Sequence, residues 1–243
     1  MIKLSALLLA LWVCSQAFAM PHHEDRVEIE IEIKETKSLE YLIALPEGYD
    51  PKDKDDDAVP LMLFLHGAGE RGDDLEKVKM HGPPMMVEKG HDFGAIVVSP
   101  QCPKDTWWTE HTDVLLALID KVEKEHNVDK DRIYVTGLSM GGYGTFALTA
   151  AAPERFAAAV PICGGGTRTQ AKKLSKLPMW VFHGDADKVI PVDESTRMVK
   201  AMNQVNGEHA KLTIYEGVGH NSWSRAYSDE KMWAWLFEQK RGE

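Results

Sequence analysis

Hydrophobic and polar residues follow two different periods along this chain. Residues 27–33 alternate strictly between apolar side chains and glutamate, which predicts a half-exposed antiparallel strand, and residues 38–45 predict a second strand. Runs typical of strands buried on both faces follow, at residues 61–65, 95–99, 132–136, 157–162, 179–182 and 212–215. Helical patterns lie between or after them, at residues 112–127, 142–152, 194–205 and 229–240.

This alternation predicts an α/β fold class, with a mostly parallel central sheet, antiparallel N-terminal strands and helices on both faces. Active sites of such sheets lie at the carboxyl ends of the strands. The sequence contains no internal repeat and no low-complexity linker. We therefore predict one catalytic domain, residues 20–243.

Residues 1–19 have the pattern of a secretory signal peptide. Lys3 supplies a positive start, residues 4–13 form a short apolar stretch, and Ala17-Phe18-Ala19 matches a cleavage site. A lipoprotein signal at Cys14 fits less well, because the preceding residue is the bulky Val13. The prediction is a secreted or periplasmic protein that has no membrane segment after cleavage.

The charge balance narrows the possible partners. The formal net charge is -10 over 243 residues, which argues against nucleic acid or an anionic membrane as a partner, since both require a basic face. Part of this charge lies in residues 50–57, which we interpret as a solvated acidic loop. The mature chain retains Cys102 and Cys163, which form either a disulfide or two separate buried thiols.

The strongest chemical signal is Gly-Leu-Ser-Met-Gly at residues 137–141, a G-x-S-x-G motif between a predicted strand and a predicted helix. Such a turn projects the serine hydroxyl above the sheet, and its glycines avoid a steric clash. A serine nucleophile needs a base and an orienting acid. Asp185 and Asp187 follow the strand at 179–182, and His220 follows the strand at 212–215, so all should lie on the same rim.

Four motifs together resemble the α/β-hydrolase superfamily. They are the serine motif at residues 137–142, His-Gly-Ala-Gly-Glu-Arg-Gly at 66–72, His-Gly-Asp-Ala-Asp at 183–187 and Gly-His-Asn-Ser-Trp at 219–223. Within it the chain is most similar to small serine carboxylesterases. These include the phospholipase/carboxylesterase and dienelactone-hydrolase-like groups, and secreted esterases akin to feruloyl esterases and polyhydroxyalkanoate depolymerases.

The resemblance implies a catalytic role for each matching position. Ser139 is expected to be the nucleophile, His220 the general base and Asp187 the acid, with Asp185 a structural or loop-capping residue. The backbone N–H groups of Ala68 and Met140 are expected to form the oxyanion hole. His66 is expected to be structural and to brace the loop.

Two tryptophans are candidate substrate contacts. Trp108 and Trp223 either form walls of the substrate pocket or pack in the core or rim. The histidines show no ligand spacing, so we predict no metal and no cofactor. The connection at residues 163–179 is short and polar and contains no amphipathic lid, which predicts an open site for small, aryl or polymer-borne esters.

These observations favour a secreted serine carboxylesterase. One alternative is a serine peptidase similar to the catalytic domain of prolyl oligopeptidases, although the chain has no room for their additional domain. The other is a hydrolase fold that has lost catalysis and acts as a binding module. The intact Ser139, Asp187 and His220 argue against that alternative.

Overall fold

The computed structural model describes residues 37–50, 57–206 and 209–242. The strands are β1 (Tyr41–Ala44), β2 (Val59–Leu65), β3 (Ile96–Pro100), β4 (Val128–Leu138), β5 (Ala158–Ile162), β6 (Met179–Gly184) and β7 (Ala210–Tyr215). The α-helices are α1 (Gly82–Glu88), α2 (Thr112–Glu125), α3 (Met140–Ala151), α4 (Arg168–Lys173), α5 (Asp193–Asn206), α6 (Trp223–Ala226) and α7 (Glu230–Glu238). The predicted signal peptide, the strand at 27–33 and most of the acidic loop lie outside the described residues.

The seven strands form one sheet in the order β1-β3-β2-β4-β5-β6-β7. The edge strand β1 runs antiparallel to β3, and the other neighbouring pairs are parallel. The predicted α/β fold class, with a mostly parallel sheet, is therefore confirmed. Because β4 lies at the centre, the segment that follows it emerges in the middle of the sheet's carboxyl edge.

The sheet separates two hydrophobic cores. Along β2, Leu61, Leu63 and Leu65 face the core that α2, α3, α4 and α5 cover, whereas Met62 and Phe64 face the core beneath α1, α6 and α7. Successive side chains of a strand point to opposite faces, so a wholly apolar strand needs helices on both sides. This burial makes the central strands a rigid base for the loops at their carboxyl ends.

The short helices were not predicted from the sequence. Helices α1, α4 and α6 have only four to seven residues, too few to show a helical period. Local signals mark two of them. Helix α1 begins with prolines in its first turn, and Thr167 and Gln170 form a capping box at the start of α4.

The connection between β5 and β6 agrees with the predicted lack of a lid. It contains only the six-residue helix α4, which is too short to cover the carboxyl edge of the sheet. Within the described ranges, no helix is both long and apolar enough to cross a membrane.

Candidate active site

Ser139 occupies a sharp turn between β4 and α3. Its φ is 54° and its ψ is -116°, and its N–H donates to the carbonyl oxygen of Ile162 over 2.9 Å. A Cβ on Gly141 would lie 1.8 Å from the carbonyl oxygen of Leu65, and one on Gly137 would lie 2.4 Å from that of Gly141. Only glycine fits at these two positions, so the motif has a steric origin.

The structure brings Ser139, His220 and Asp187 together. His220 Nε2 lies 2.9 Å from Ser139 Oγ, and His220 Nδ1 lies 2.7 Å from Asp187 Oδ2. An ionised carboxylate only accepts hydrogen bonds, so Nδ1 of the neutral ring carries the proton and Nε2 is free to accept from the serine hydroxyl. This is the tautomer that a general base needs.

The carboxylate of Asp187 accepts hydrogen bonds from several donors. Its side chain is 0% exposed, and its Oδ1 accepts from the N–H groups of Val189 (2.8 Å) and Ile190 (2.9 Å). Burial alone would raise the pKa of this carboxyl. The hydrogen bonds from His220 and from the two backbone N–H groups outweigh burial and hold the pKa below its ordinary value.

His183, at the end of β6, forms a second contact to the acid, which the sequence analysis missed. Its Nε2 donates to Asp187 Oδ2 (3.1 Å) and to the carbonyl oxygen of Ile190 (2.9 Å). Its Nδ1 lies 2.7 Å from Ser195 Oγ, which in turn lies 2.9 Å from the carbonyl oxygen of Gly164. Asp187 Oδ2 is therefore shared by two imidazoles, one on each side.

The neighbouring Asp185 has a different environment. It is exposed, and its Oδ1 accepts from the N–H of Gly217 over 2.7 Å. Gly217 belongs to the loop that carries His220, so Asp185 fixes that loop without contacting the imidazole. This contact is of the kind expected for a structural residue, and the role of Asp185 stays a prediction.

The two candidate oxyanion donors, Ala68 and Met140, belong to segments that adjoin Ser139. Met140 is the first residue of α3, where an N–H group has no acceptor within the helix. A Cβ on Gly67 would lie 3.7 Å from the Cβ of Ser139, so the Gly67–Ala68 segment packs against the serine. Both segments therefore adjoin Ser139, and the dipole of α3 adds positive potential at its first residue.

His66 braces this loop, as predicted. Its Nδ1 donates to the carbonyl oxygen of Gly67 (2.6 Å), and its Nε2 accepts from the N–H of Cys102 (3.0 Å). These two bonds together require a neutral ring with the proton on Nδ1. Burial lowers the pKa of His66 to about 4, so the ring stays neutral at pH 7.

Comparison with known proteins identifies the family of this chain. The sequence model of the dienelactone hydrolase family matches residues 99–234, more than half of the chain. The chain belongs to the dienelactone hydrolase family. The matched segment includes Ser139, Asp187 and His220, while the loop that carries Ala68 precedes it.

This family member is similar in sequence to several esterases. It is 27% identical to a probable feruloyl esterase C of Aspergillus terreus over 72% of this chain and 64% of the relative. It is 29% identical to a bifunctional acetylxylan esterase/xylanase of Neocallimastix patriciarum over 54% of this chain and 20% of the relative. The chain thus spans less than two thirds of the length of either relative.

Solved structures share the fold of this family member. A thermostable esterase superimposes with a TM-score of 0.71 and 36% identity, covering 84% of this chain and 60% of that one. Est1E of Butyrivibrio proteoclasticus, solved with ferulic acid bound, gives a TM-score of 0.60 at 16% identity over 83% of this chain and 95% of that one. The second likeness concerns the fold alone.

The expectation that Trp108 could form a pocket wall is wrong. Its side chain is 0% exposed, its Nε1 donates to the carbonyl oxygen of His66 over 2.9 Å, and its ring packs edge-on against His66. Trp108 therefore supports His66, at the start of the loop that carries Ala68. The adjacent Trp107 is 46% exposed and lies beneath the Arg71 guanidinium. Of these two neighbouring tryptophans, only Trp107 therefore faces solvent.

Trp223, the other candidate, lies at the rim. Its ring contacts that of His220 edge-on at 5.3 Å and that of His81 at 5.5 Å. Trp223 is half-buried, so part of it faces solvent next to the imidazole of His220. The structure therefore leaves Trp223 in a position to meet a substrate.

The two cysteines are free thiols and are both buried. The sulfur of Cys163 lies within 4.8 Å of ligand atoms of Asp187 and His220, a spacing that could hold a metal ion. Burial raises the pKa of the Cys163 thiol to about 12, so the sulfur is protonated at neutral pH and is a poor ligand. The two other members of the cluster already bond to each other.

Proposed function

We propose that this chain is a serine carboxylesterase that cleaves carboxylic esters through an acyl-enzyme on Ser139. The observation that carries the proposal is the continuous hydrogen-bonded series from Ser139 Oγ through His220 to Asp187, with distances of 2.9 and 2.7 Å. The names of the relatives support an ester substrate, because they include feruloyl and acetylxylan esterases.

In the proposed mechanism, each residue of the site has its own step. His220 takes the Ser139 proton as Oγ attacks the ester carbonyl, and Asp187 stabilises the imidazolium that forms. The carbonyl oxygen becomes negative and accepts hydrogen bonds from the N–H groups of Ala68 and Met140. His220 then gives its proton to the leaving alcohol, and the acyl group stays on Ser139. Water, activated by His220, releases the acid.

The test is hydrolysis of p-nitrophenyl acetate by the purified protein. We expect turnover by the wild type and its loss in Ser139→Ala, because no other group replaces the nucleophile. Ser38→Ala, at an exposed serine, is the matched control and should retain full activity. A wild type without activity, or a Ser139→Ala variant with full activity, would exclude the proposal. Preferential cleavage of a proline-containing peptide would favour the peptidase alternative.

The open site further favours short acyl chains, aryl esters or esters carried on a polymer. In the described part of the chain, the β5–β6 connection offers no apolar surface of the kind that covers a long acyl chain. We expect activity on p-nitrophenyl esters to fall from acetate to palmitate. A steady rise towards palmitate would contradict this substrate class.

We also propose that the protein is exported and that cleavage follows Ala19. The support is the charge and hydropathy pattern of residues 1–19. N-terminal sequencing of the exported protein should then begin at Met20. A mature protein that retains Met1, or one that is modified at Cys14, would contradict the proposed site.

A further inference from the structure

The imidazole of His183, in β6, has hydrogen-bonding groups at both of its ring nitrogens. The residue is 0% exposed, so no bulk water reaches either nitrogen. Its Nε2 lies 3.1 Å from Asp187 Oδ2 and 2.9 Å from the carbonyl oxygen of Ile190. Both neighbours only accept, because the lowered pKa of Asp187 leaves its carboxylate ionised at neutral pH and a carbonyl oxygen has no hydrogen. Nε2 therefore carries a hydrogen.

The other nitrogen of His183 faces a hydroxyl group whose hydrogen is already used. Nδ1 lies 2.7 Å from Ser195 Oγ, and Ser195 Oγ donates to the carbonyl oxygen of Gly164 over 2.9 Å. A hydroxyl group has one hydrogen, so Oγ has to accept from Nδ1 while it donates to Gly164. With that hydrogen on Nδ1 instead, the two oxygens would face each other at 2.9 Å with no hydrogen between them. Nδ1 therefore carries a hydrogen as well.

The charge balance around Asp187 leads to the same hydrogen count. Its side chain is 0% exposed, and a carboxylate removed from water needs a compensating positive charge. Its other imidazole partner, His220, is neutral before the reaction, because its Nε2 has to accept from Ser139 Oγ. In the described part of the chain, no lysine or arginine forms an ion pair with Asp187. A His183 ring with two hydrogens is a cation and supplies the missing charge.

The titratable groups on the neighbouring elements do not supply that charge. Burial raises the pKa of the Cys163 thiol, which follows β5, and of the Tyr143 hydroxyl, on α3, to about 12, so both are uncharged at neutral pH. Glu194, on α5, is itself acidic. Lys188 belongs to the same loop as Asp187, but it is exposed. His183 is thus the one partner in contact with the buried carboxylate that can be positive before the reaction begins.

We infer that His183 carries a hydrogen on both ring nitrogens in the folded protein and is a positioning residue that acts through Asp187. Its positive charge balances the carboxylate while His220 is still neutral. Because a positive charge beside the shared carboxylate makes a second positive charge on His220 less favourable, His220 stays available as a base at lower pH. This role rests on the proposed esterase function, whereas the hydrogen count of His183 does not.

Nitrogen NMR of the protein labelled with nitrogen-15 in its histidine rings measures the hydrogen count directly, because ring nitrogens with and without a hydrogen have well-separated chemical shifts. The His183 signals are those that disappear in His183→Gln. If that variant does not fold, Ser195→Ala identifies them by the shift of Nδ1. At pH 7 we expect both nitrogens of His183 to bear a hydrogen. A hydrogen-free Nδ1 would overturn the inference, whether or not the protein cleaves esters.

The pH profile of kcat/KM for p-nitrophenyl acetate tests the positioning role. His183→Gln keeps a donor to Asp187 but removes the positive charge, so the acid limb of the profile should move up by about one pH unit. His91→Gln, at an exposed position, is the matched control and should keep the wild-type limb. An acid limb that does not move in His183→Gln would overturn the role. A wild type that does not cleave the ester would reject the esterase function, while the NMR result would still decide the hydrogen count.

Discussion

The two sides of Ser139 are held in place by different forces. On the proposed oxyanion side, the contacts are close packing and hydrogen bonds between uncharged groups: Gly141 packs against Leu65, and the neutral His66 bonds to Gly67 and packs on Trp108. On the acid–base side, Asp187 receives hydrogen bonds from His220, from His183 and from two backbone N–H groups. Substitutions that add volume should therefore disturb the first side most, and substitutions that remove charge should disturb the second side most.

The largest expected effect is a loss of kcat when the charge of Asp187 is removed and its size is kept. Asp187→Asn keeps the size of the side chain, but it removes the negative charge and favours the wrong tautomer of His220. We expect kcat for p-nitrophenyl acetate to fall about 10³–10⁴-fold. Asp185→Asn is the matched control and should stay close to the wild type, since its amide oxygen can still accept from Gly217. Similar losses in both variants would contradict the assignment of the acid.

The packing on the proposed oxyanion side is tested by adding one methyl group at Gly141. In Gly141→Ala the Cβ meets the backbone of Leu65 at 1.8 Å, which no rotamer change can relieve. We expect the free energy of unfolding to fall by more than about 3 kcal/mol, measured by denaturant titration. Gly69→Ala has no atom within 4 Å of the added Cβ and should change stability by less than about 0.5 kcal/mol. Equal stability of the two variants would contradict the steric account.

A pH titration of stability tests the neutral state of His66. Its pKa in the folded protein, about 4, lies below the ordinary value of 6.5, so the unfolded chain takes up the proton first as the pH falls. The contribution of the neutral His66 to the free energy of unfolding is complete above pH 6.5 and is lost as the pH falls towards 4. Relative to His66→Gln, the wild type should lose about 3 kcal/mol between pH 7 and pH 4.

The control for this titration is His91→Gln, at an exposed position, which should follow the wild type. A difference between the wild type and His66→Gln that does not change with pH would show that His66 is not held neutral by burial.

The smallest expected effect is a loss of kcat when the hydrogen bond from His183 to Asp187 is removed. His183→Leu removes one donor to Asp187 Oδ2 without touching the substrate, so kcat should fall about 10–100-fold while KM changes little. His183→Gln retains a donor and should recover part of the loss. An equal loss in both variants would indicate that only the volume of His183 matters.

The features that depend on residues close together in the chain could be predicted from the sequence. The buried strands are visible as apolar runs, and the G-x-S-x-G spacing follows from contacts that exclude a Cβ at Gly137 and Gly141. The proximity of Ser139, Asp187 and His220 could be predicted because each follows a strand at the same edge of a parallel sheet. Asp185 and Asp187 could be distinguished only through the resemblance to a family, since both follow β6.

Other features depend on packing that a single sequence does not reveal. The burial of Trp108 rather than Trp107 depends on the orientation of one loop. The second hydrogen bond to Asp187 requires His183 to point back towards it from the end of β6. The contact between His81 and Trp223 needs the start of α1, a seven-residue helix that is too short to show a period.

The most direct test of the central claim is covalent labelling of Ser139. The purified protein would be treated with a fluorophosphonate, digested, and mapped by mass spectrometry. We expect one stoichiometric adduct on the peptide that contains Ser139, and no adduct when His220 is replaced by Ala. An unlabelled wild type, or an adduct on another serine, would contradict the claim that His220 and Asp187 activate Ser139.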